Sequence, residues 1–174
     1  MTQGGVGMQN PARKLGGYTL LELLVTVSIS GIFASIAIPS LSELRAQTSH
    51  KALKDETLIF LKSSRGDAAN LNTNVKICTL SEQKCDGLST PWVAFTDQNN
   101  NNRLDSNETV LRQHSLNVNS VQWRKNRKSI RFMANGQARG YNGTLNICTK
   151  ANKLFQIVVA NTGRLRFGET KEDC

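Results

Sequence analysis

From Leu20 to Leu41 the chain reads LLELLVTVSISGIFASIAIPSL, apolar apart from small hydroxyl residues and one carboxylate, Glu22, and without Lys or Arg. About 20 such residues are enough to cross the hydrocarbon core of a bilayer as a helix. Arg13 and Lys14 stand ahead of this run. The bias that holds cations in the cytoplasm predicts a single pass through the inner membrane, with everything after Leu41 on the periplasmic side. A secretory signal would show a small-residue cleavage site after the apolar run, and the polar continuation offers no clear one. A plain membrane anchor is the simpler alternative.

Glu22 bears on that choice. A carboxylate near the edge of an apolar span costs about 2–3 kcal/mol unless it finds a partner. Cutting the chain after Gly17 would create a positive amine on Tyr18, about one helical turn from Glu22. That amine is a natural counter-charge, within one chain or from a neighbouring one.

At Gly17, Tyr18 and Glu22 the sequence resembles the type IV prepilin family. Its leader ends in Gly and is followed by an aromatic residue, a short apolar stretch and Glu at the fifth mature position; here Tyr stands for the commoner Phe. The resemblance implies cleavage after Gly17 by prepilin peptidase, methylation of the new amine, and packing of the apolar helix among other major and minor pilins in a filament core. The protein would sit in the inner membrane before assembly and in a pilus at the cell surface afterwards. Pro39 falls where pilins often carry a helix-bending Pro, and its missing N–H gives the mechanical reason for a kink. Three segments follow: a leader, 1–17; the membrane and filament-core half of the helix, 18–41; and an exported domain, 42–174.

Beyond Pro39, Leu41, Leu44, Ala52, Leu53, Thr57, Phe60 and Leu61 recur at helical spacing among charged residues, which predicts an amphipathic continuation to about Asn70. From Tyr18 such a helix would extend roughly 80 Å. Short β-favouring runs follow at Val75–Leu80, Trp92–Thr96, Thr109–Ser115, Val118–Trp123, Ser129–Ala134, Thr144–Thr149, Phe155–Ala160 and Arg164–Phe167. Asn135-Gly136 and Asn142-Gly143 suit hairpin turns. The fold class expected is α+β, a type IV pilin-like fold in which one long helix packs on an antiparallel β-sheet domain.

Cys78, Cys85, Cys148 and Cys174 form an even set without CxxC spacing in the segment expected to be exported, where disulfides are the ordinary state. Of three pairings we favour Cys78–Cys85, which closes a short loop, and Cys148–Cys174, which would pin the C-terminal strand to the sheet. Zinc would need compact ligand pairs.

Charge points to a partner. Of 174 residues, 22 are Lys or Arg and 13 Asp or Glu, a net +9 with a pI near 9.7; loss of residues 1–17 would leave +7. Such a surplus favours an acidic partner, nucleic acid or an anionic surface. In Thr162-Gly163-Arg164-Leu165-Arg166-Phe167, an extended chain would send Arg164 and Arg166 to one face and Leu165 and Phe167 to the core. Two guanidinium groups roughly 7 Å apart match neighbouring phosphates and would read backbone, not bases. Solvated arginines on an ordinary strand are the plain alternative. Lys150 and Lys153, just before the preceding strand, are expected to extend the patch along the same end of the domain. Arg124, Lys125, Arg127, Lys128 and Arg131 form a second basic cluster, which a polar turn would also explain; the adjoining Trp123 is expected in the core rather than stacked on a base.

Val75-Lys76-Ile77-Cys78, Trp92–Asp97, Ile130-Arg131-Phe132, Leu145–Cys148 and Gly163-Arg164-Leu165-Arg166 narrow the resemblance to the FimT/GspH family of minor pilins and pseudopilins, nearest its FimT branch. The ending is similar to the Gly-Arg-x-Arg motif of FimT proteins, whose arginines bind DNA in natural transformation. The resemblance implies double-stranded DNA as a partner, with Arg164 and Arg166 as leading contacts. A structural minor pilin or a type II secretion pseudopilin, priming or capping a filament, is the other reading.

The stretch from Asp97 to Glu108 places side-chain oxygens at positions 1, 3, 5, 9 and 12 of an EF-hand pattern. Asn102 replaces the turn-forming Gly, and Arg103 adds an unhelpful charge. We expect an Asn-rich connection that satisfies its own backbone, and no metal or cofactor. With two distant histidines, His50 and His114, and no GxSxG, HExxH, P-loop or paired-carboxylate pattern, catalysis is not expected.

Overall fold

The computed structural model describes residues 17–123, 127–150, 153–169 and 174, without the side chains of 36–40, 42, 43 and 46. Arg13, Lys14, Arg124, Lys125 and the side chain of Pro39 thus lie outside the described residues. One helix, α1 (Leu20–Asn70), is followed by β1 (Val75–Cys78), β2 (Leu80–Ser81), β3 (Lys84–Cys85), β4 (Trp92–Thr96), β5 (Val110–His114), β6 (Val118–Trp123), β7 (Ile130–Phe132), β8 (Gly143–Thr149), β9 (Leu154–Val159) and β10 (Leu165–Phe167). Two compact units divide between Leu44 and Arg45.

In the first unit α1 begins on a cap. Thr19 Oγ1 accepts the backbone N–H of Glu22 at 3.2 Å, half of the reciprocal Thr-x-x-Glu arrangement found at helix starts. Glu22 therefore lies in the first turn, where unpaired N–H groups favour a negative charge. Hydroxyls along the apolar run bond back to the preceding turn: Thr26 to the Leu23 carbonyl (2.9 Å), Ser28 to Leu24 (2.8 Å) and Ser30 to Thr26 (2.7 Å). Each polar group is then satisfied without water. The apolar side chains are exposed, Leu20 at 82% and Phe33 at 69%. No helix among the described residues is long and apolar enough to cross a membrane. The run with described side chains, Leu20–Ser35, is shorter than the ~20 residues a span needs.

In the second unit α1 buries Thr57, Phe60, Leu61, Ser64 and Ala68, positions that share one helical face. The expected face holds from Leu53 onward; Leu41, Leu44 and Ala52 are exposed. The antiparallel β-sheet domain expected is present as two four-stranded sheets, ordered β5-β4-β1-β7 and β10-β9-β8-β6, with a separate β2-β3 ribbon. Both sheets contribute to one core with Phe60 and Leu61, through Ile77, Trp92, Ile130 and Phe132 of the first and Leu145, Ile147, Phe155 and Ile157 of the second. β1 and β4 are buried on both faces. Their outer residues Cys78, Val93 and Phe95 form a smaller cluster with Cys85 and Leu104. Trp123 is in the core.

Disulfides join Cys78 to Cys85 and Cys148 to Cys174. Asn135-Gly136 forms a turn, with Gly136 at φ 72° and its N–H on the Met133 carbonyl at 2.7 Å. Asn142-Gly143 does not: Gly143 already opens β8. The turn lies earlier, where Tyr141 N–H meets the Ala138 carbonyl at 2.9 Å and Gly140 takes φ 75°. β7 and β8 belong to different sheets, so the connection between them has no hairpin register to obey.

Candidate nucleic-acid interface

Strands β9 and β10 are joined by a tight turn in which Gly163 N–H bonds the Ala160 carbonyl and Ala160 N–H bonds the Arg164 carbonyl, both at 2.9 Å. Gly163 has φ 76°, a region that glycine enters at no steric cost and most side chains do not. A Cβ there would also overlap the Gly136 carbonyl and lie 2.8 Å from Arg65 Nε. Glycine thus lets this turn pack onto the Asn135-Gly136 turn and fixes the path on which Arg164 leaves.

β10 pairs with β9 at the sheet edge, Leu165 opposite Val159 and Phe167 opposite Ile157. Leu165 is buried and Phe167 half-buried under Lys54, whose Nζ is 4.9 Å from the ring centroid. Arg164 and Arg166 are exposed, in agreement with the alternation expected from the sequence. Among the described residues neither arginine forms an ion pair.

Lys150 and Lys153 are not part of this end. They lie in the β8–β9 connection, before Leu154, whereas Arg166 stands opposite Val158. The separation along β9 is about 17 Å for Arg166 and more for Arg164, at ~3.4 Å per residue. The antiparallel return of β10 reverses the sequence-based grouping. Lys150 instead lines a cleft of about 410 Å³ with His50, Leu53, Glu56 and Asn117.

What does join Arg164 had no sequence signal. Arg65, half-buried on α1, donates Nε to the Gly136 carbonyl at 2.9 Å and Nη2 to the Thr162 carbonyl at 3.5 Å. Exposed Arg139 lines a concavity of about 500 Å³ with Gln137, Gly140, Asn161 and Thr162. Only the meeting of two turns far apart in sequence brings these cations beside Gly163.

The 97–108 loop is organised around an ammonium. Lys76 of β1 reaches through the outer face of the sheet to place Nζ 2.5 Å from Asp97 Oδ2, both side chains 0% exposed, and donates to Asn102 Oδ1 at 2.6 Å. The first carboxylate of the EF-hand-like pattern is therefore engaged by a side chain of the protein. The remaining oxygens serve the loop: Asn99 and Asn101 donate to Asp105 Oδ2 at 2.8 and 2.7 Å, and Glu108 accepts the N–H groups of Gln98 and Asp105 at 2.9 and 3.1 Å. The two amide hydrogen bonds hold the Asp105 pKa below the usual carboxylate range. Asn102 adopts φ 64° in place of the missing glycine. Among the described residues no group of three or more His, Cys, Asp or Glu could hold a metal ion.

The histidines are held apart. His50 meets Phe155 edge-on at 5.8 Å, and burial, then Lys54 and Lys153, depress its pKa. His114 stacks on Phe60 at 5.3 Å; burial depresses its pKa against the opposing field of Glu56.

A capped helix with an exposed apolar first half, docked by its second half on antiparallel sheets, defines a type IV pilin-like protein. Residues 56–163 match the family described as Type II transport protein GspH, and residues 13–38 match the prokaryotic N-terminal methylation motif. The first match covers more than half of the chain, which belongs to the GspH family. The second contains Gly17, Tyr18 and Glu22. Two crystal forms of the Pseudomonas aeruginosa type IV minor pilin FimU share the fold, each at 16% identity: TM-scores are 0.53 and 0.52, covering 74% and 71% of this chain and 96% and 98% of that one. Among curated proteins none matches. The family and motif imply a membrane-anchored filament component that associates with other pilins and is processed by prepilin peptidase. The GspH match ends at Gly163, one residue before Arg164.

Proposed function

We propose that the protein is a non-catalytic minor pilin that binds duplex DNA without sequence preference, for uptake in natural transformation. The observation that carries this reading is the pair Arg164 and Arg166, launched by Gly163 from a sheet edge, exposed, and without a carboxylate partner among the described residues. Guanidinium forks suit phosphate oxygens, and contacts to the phosphodiester backbone impose no base preference. Before assembly the apolar half of α1 is held in the inner membrane as a single pass, and cleavage after Gly17 frees the Tyr18 amine beside Glu22. After assembly the DNA is drawn inward as the filament retracts.

The test is a fluorescence anisotropy titration of the detergent-solubilised full chain with a mixed-sequence duplex. Wild type should bind with an affinity that falls steeply with salt, and Arg164→Ala/Arg166→Ala should lose about two phosphate contacts from the salt slope. Equal binding by the double variant excludes these arginines. A second reading has its own support: residues 56–163 match the family described as Type II transport protein GspH, and the fold is shared with the type IV minor pilin FimU. On that reading the protein primes or caps a pilus or a type II secretion pseudopilus, and wild type fails to bind the duplex.

A further inference from the structure

We propose a second phosphate-binding locus, centred on Tyr141, that continues the DNA track from Arg164 and Arg166; it rests on the DNA-binding reading above. The guanidinium carbons of Arg127 and Arg131 lie 5.0 and 4.5 Å from the Tyr141 ring centroid. Two like charges held on one ring repel each other, and protein surfaces commonly relieve this with a carboxylate. Here the remaining contacts among the described residues are neutral: Arg127 donates to the Gly140 carbonyl, and Arg131 donates to Asn100 Oδ1 at 2.8 Å. Arg131 Nε is buried with no hydrogen-bond partner. A π-face and neutral oxygens orient guanidinium groups without cancelling their charge, which leaves a pre-set pair of cations for an external anion.

The surroundings extend this charge. Arg127 and Tyr141 line a concavity of about 300 Å³ with Lys84 and Lys128. Lys128 pairs with Asp86 at 3.0 Å, but both side chains are more than half exposed, so the pair is screened and easily exchanged. Exposed Lys84 forms no ion pair among the described residues. Asp105 of the neighbouring loop keeps its negative charge, bonds Asn99 and Asn101, and forms no ion pair with either guanidinium among the described residues. Gly140 links this hollow to the next: its carbonyl takes the Arg127 bond, and with Arg139 it lines the concavity that reaches Asn161 and Thr162. Cations are thus available in sequence from Arg164 through Arg139 to the Tyr141 locus. A run of separated cations suits a polymer with regularly repeated phosphates.

The experiment compares salt-dependent duplex binding by the full chain in detergent for wild type, Lys84→Glu/Arg139→Glu, the milder Lys84→Gln/Arg139→Gln, Arg164→Ala/Arg166→Ala and the charge-matched control Lys150→Glu/Lys153→Glu. Circular dichroism confirms that each is folded. The expected result is an affinity loss of about tenfold and a salt slope lowered by about two in both Lys84/Arg139 variants, with a smaller loss in the control. Wild-type affinity and slope in the Lys84/Arg139 variants, with binding lost in Arg164→Ala/Arg166→Ala, overturns the second locus and leaves the DNA reading standing. An equal loss in the control assigns the effect to net charge and also overturns the locus. Absence of wild-type binding overturns both readings. Poly-glutamate capture that is lost in Lys84→Glu/Arg139→Glu, with duplex binding unchanged, assigns the surface to an acidic protein partner and overturns the proposal.

Discussion

Lys76 and the pair Arg164 and Arg166 carry the same charge under opposite conditions. Lys76 is fully buried, 2.5 Å from Asp97, and ties β1 to the loop that follows β4. The arginines stand on an edge strand with no carboxylate partner among the described residues. One cation is consumed in joining parts of the fold, and the others are not. A positive net charge is therefore a poor guide to a binding surface until the buried and tightly paired cations are set aside, among them Lys76 on Asp97 and Arg112 on Asp67.

The contrast can be broken most directly at Lys76. Lys76→Met leaves Asp97 buried without its ammonium, and beyond Lys76 neither carboxylate oxygen has a polar partner among the described residues. The expected cost is about 3–5 kcal/mol in denaturant unfolding of the full chain, with much of it recovered in Lys76→Met/Asp97→Leu. A loss below about 1 kcal/mol would show that the pair contributes little to holding the loop, and the comparison would fail on its buried side.

Gly163→Ala comes next. A positive φ costs a β-carbon about 1–2 kcal/mol, and relieving the overlap with the Gly136 carbonyl adds about 1–3 kcal/mol. The summed destabilisation, measured in the same unfolding experiment, should exceed that of Arg164→Ala/Arg166→Ala, which stays within about 0.5 kcal/mol because both side chains are exposed. If the arginine variant unfolds as readily as the glycine variant, the arginines belong to the fold after all.

Local signals were legible where short-range physics decides. The hydroxyl-bearing apolar run, the α1 face from Leu53 onward and the alternation over Leu165, Arg166 and Phe167 follow from helical and strand periods. Partnerships set by strand order were not. Lys76 meets Asp97 because β1 and β4 are neighbours, with Val75 opposite Thr96. Arg139 and Arg65 come beside Gly163 because two turns pack together. Glu22 has a further local role: its backbone N–H bonds Thr19 Oγ1, which caps the start of α1.

A smaller effect is expected with pH. His50 and His114 have folded pKa values below their unfolded ones, so the unfolded chain takes up protons first. Their stabilisation is present above about pH 6.5 and is lost as pH falls through the folded values. Thermal melts should show a falling midpoint below pH 6.5, and the decline should be shallower in His50→Asn. An unchanged slope would show that His50 is fully hydrated.

The smallest effect separates the two ends of β9. The sequence groups Lys150 and Lys153 with the arginines, but the antiparallel register sets them about 17 Å from Arg166 along the strand, beyond the ~10 Å over which exposed charges interact at 0.1 M salt. Lys150 also shares its cleft with Glu56. At such ionic strength Lys150→Ala/Lys153→Ala should change duplex affinity less than about twofold, against about tenfold or more for Arg164→Ala/Arg166→Ala. Equal losses in the two variants would mean that net charge, not position along β9, sets duplex affinity, and the distinction between the two ends of the strand would fail.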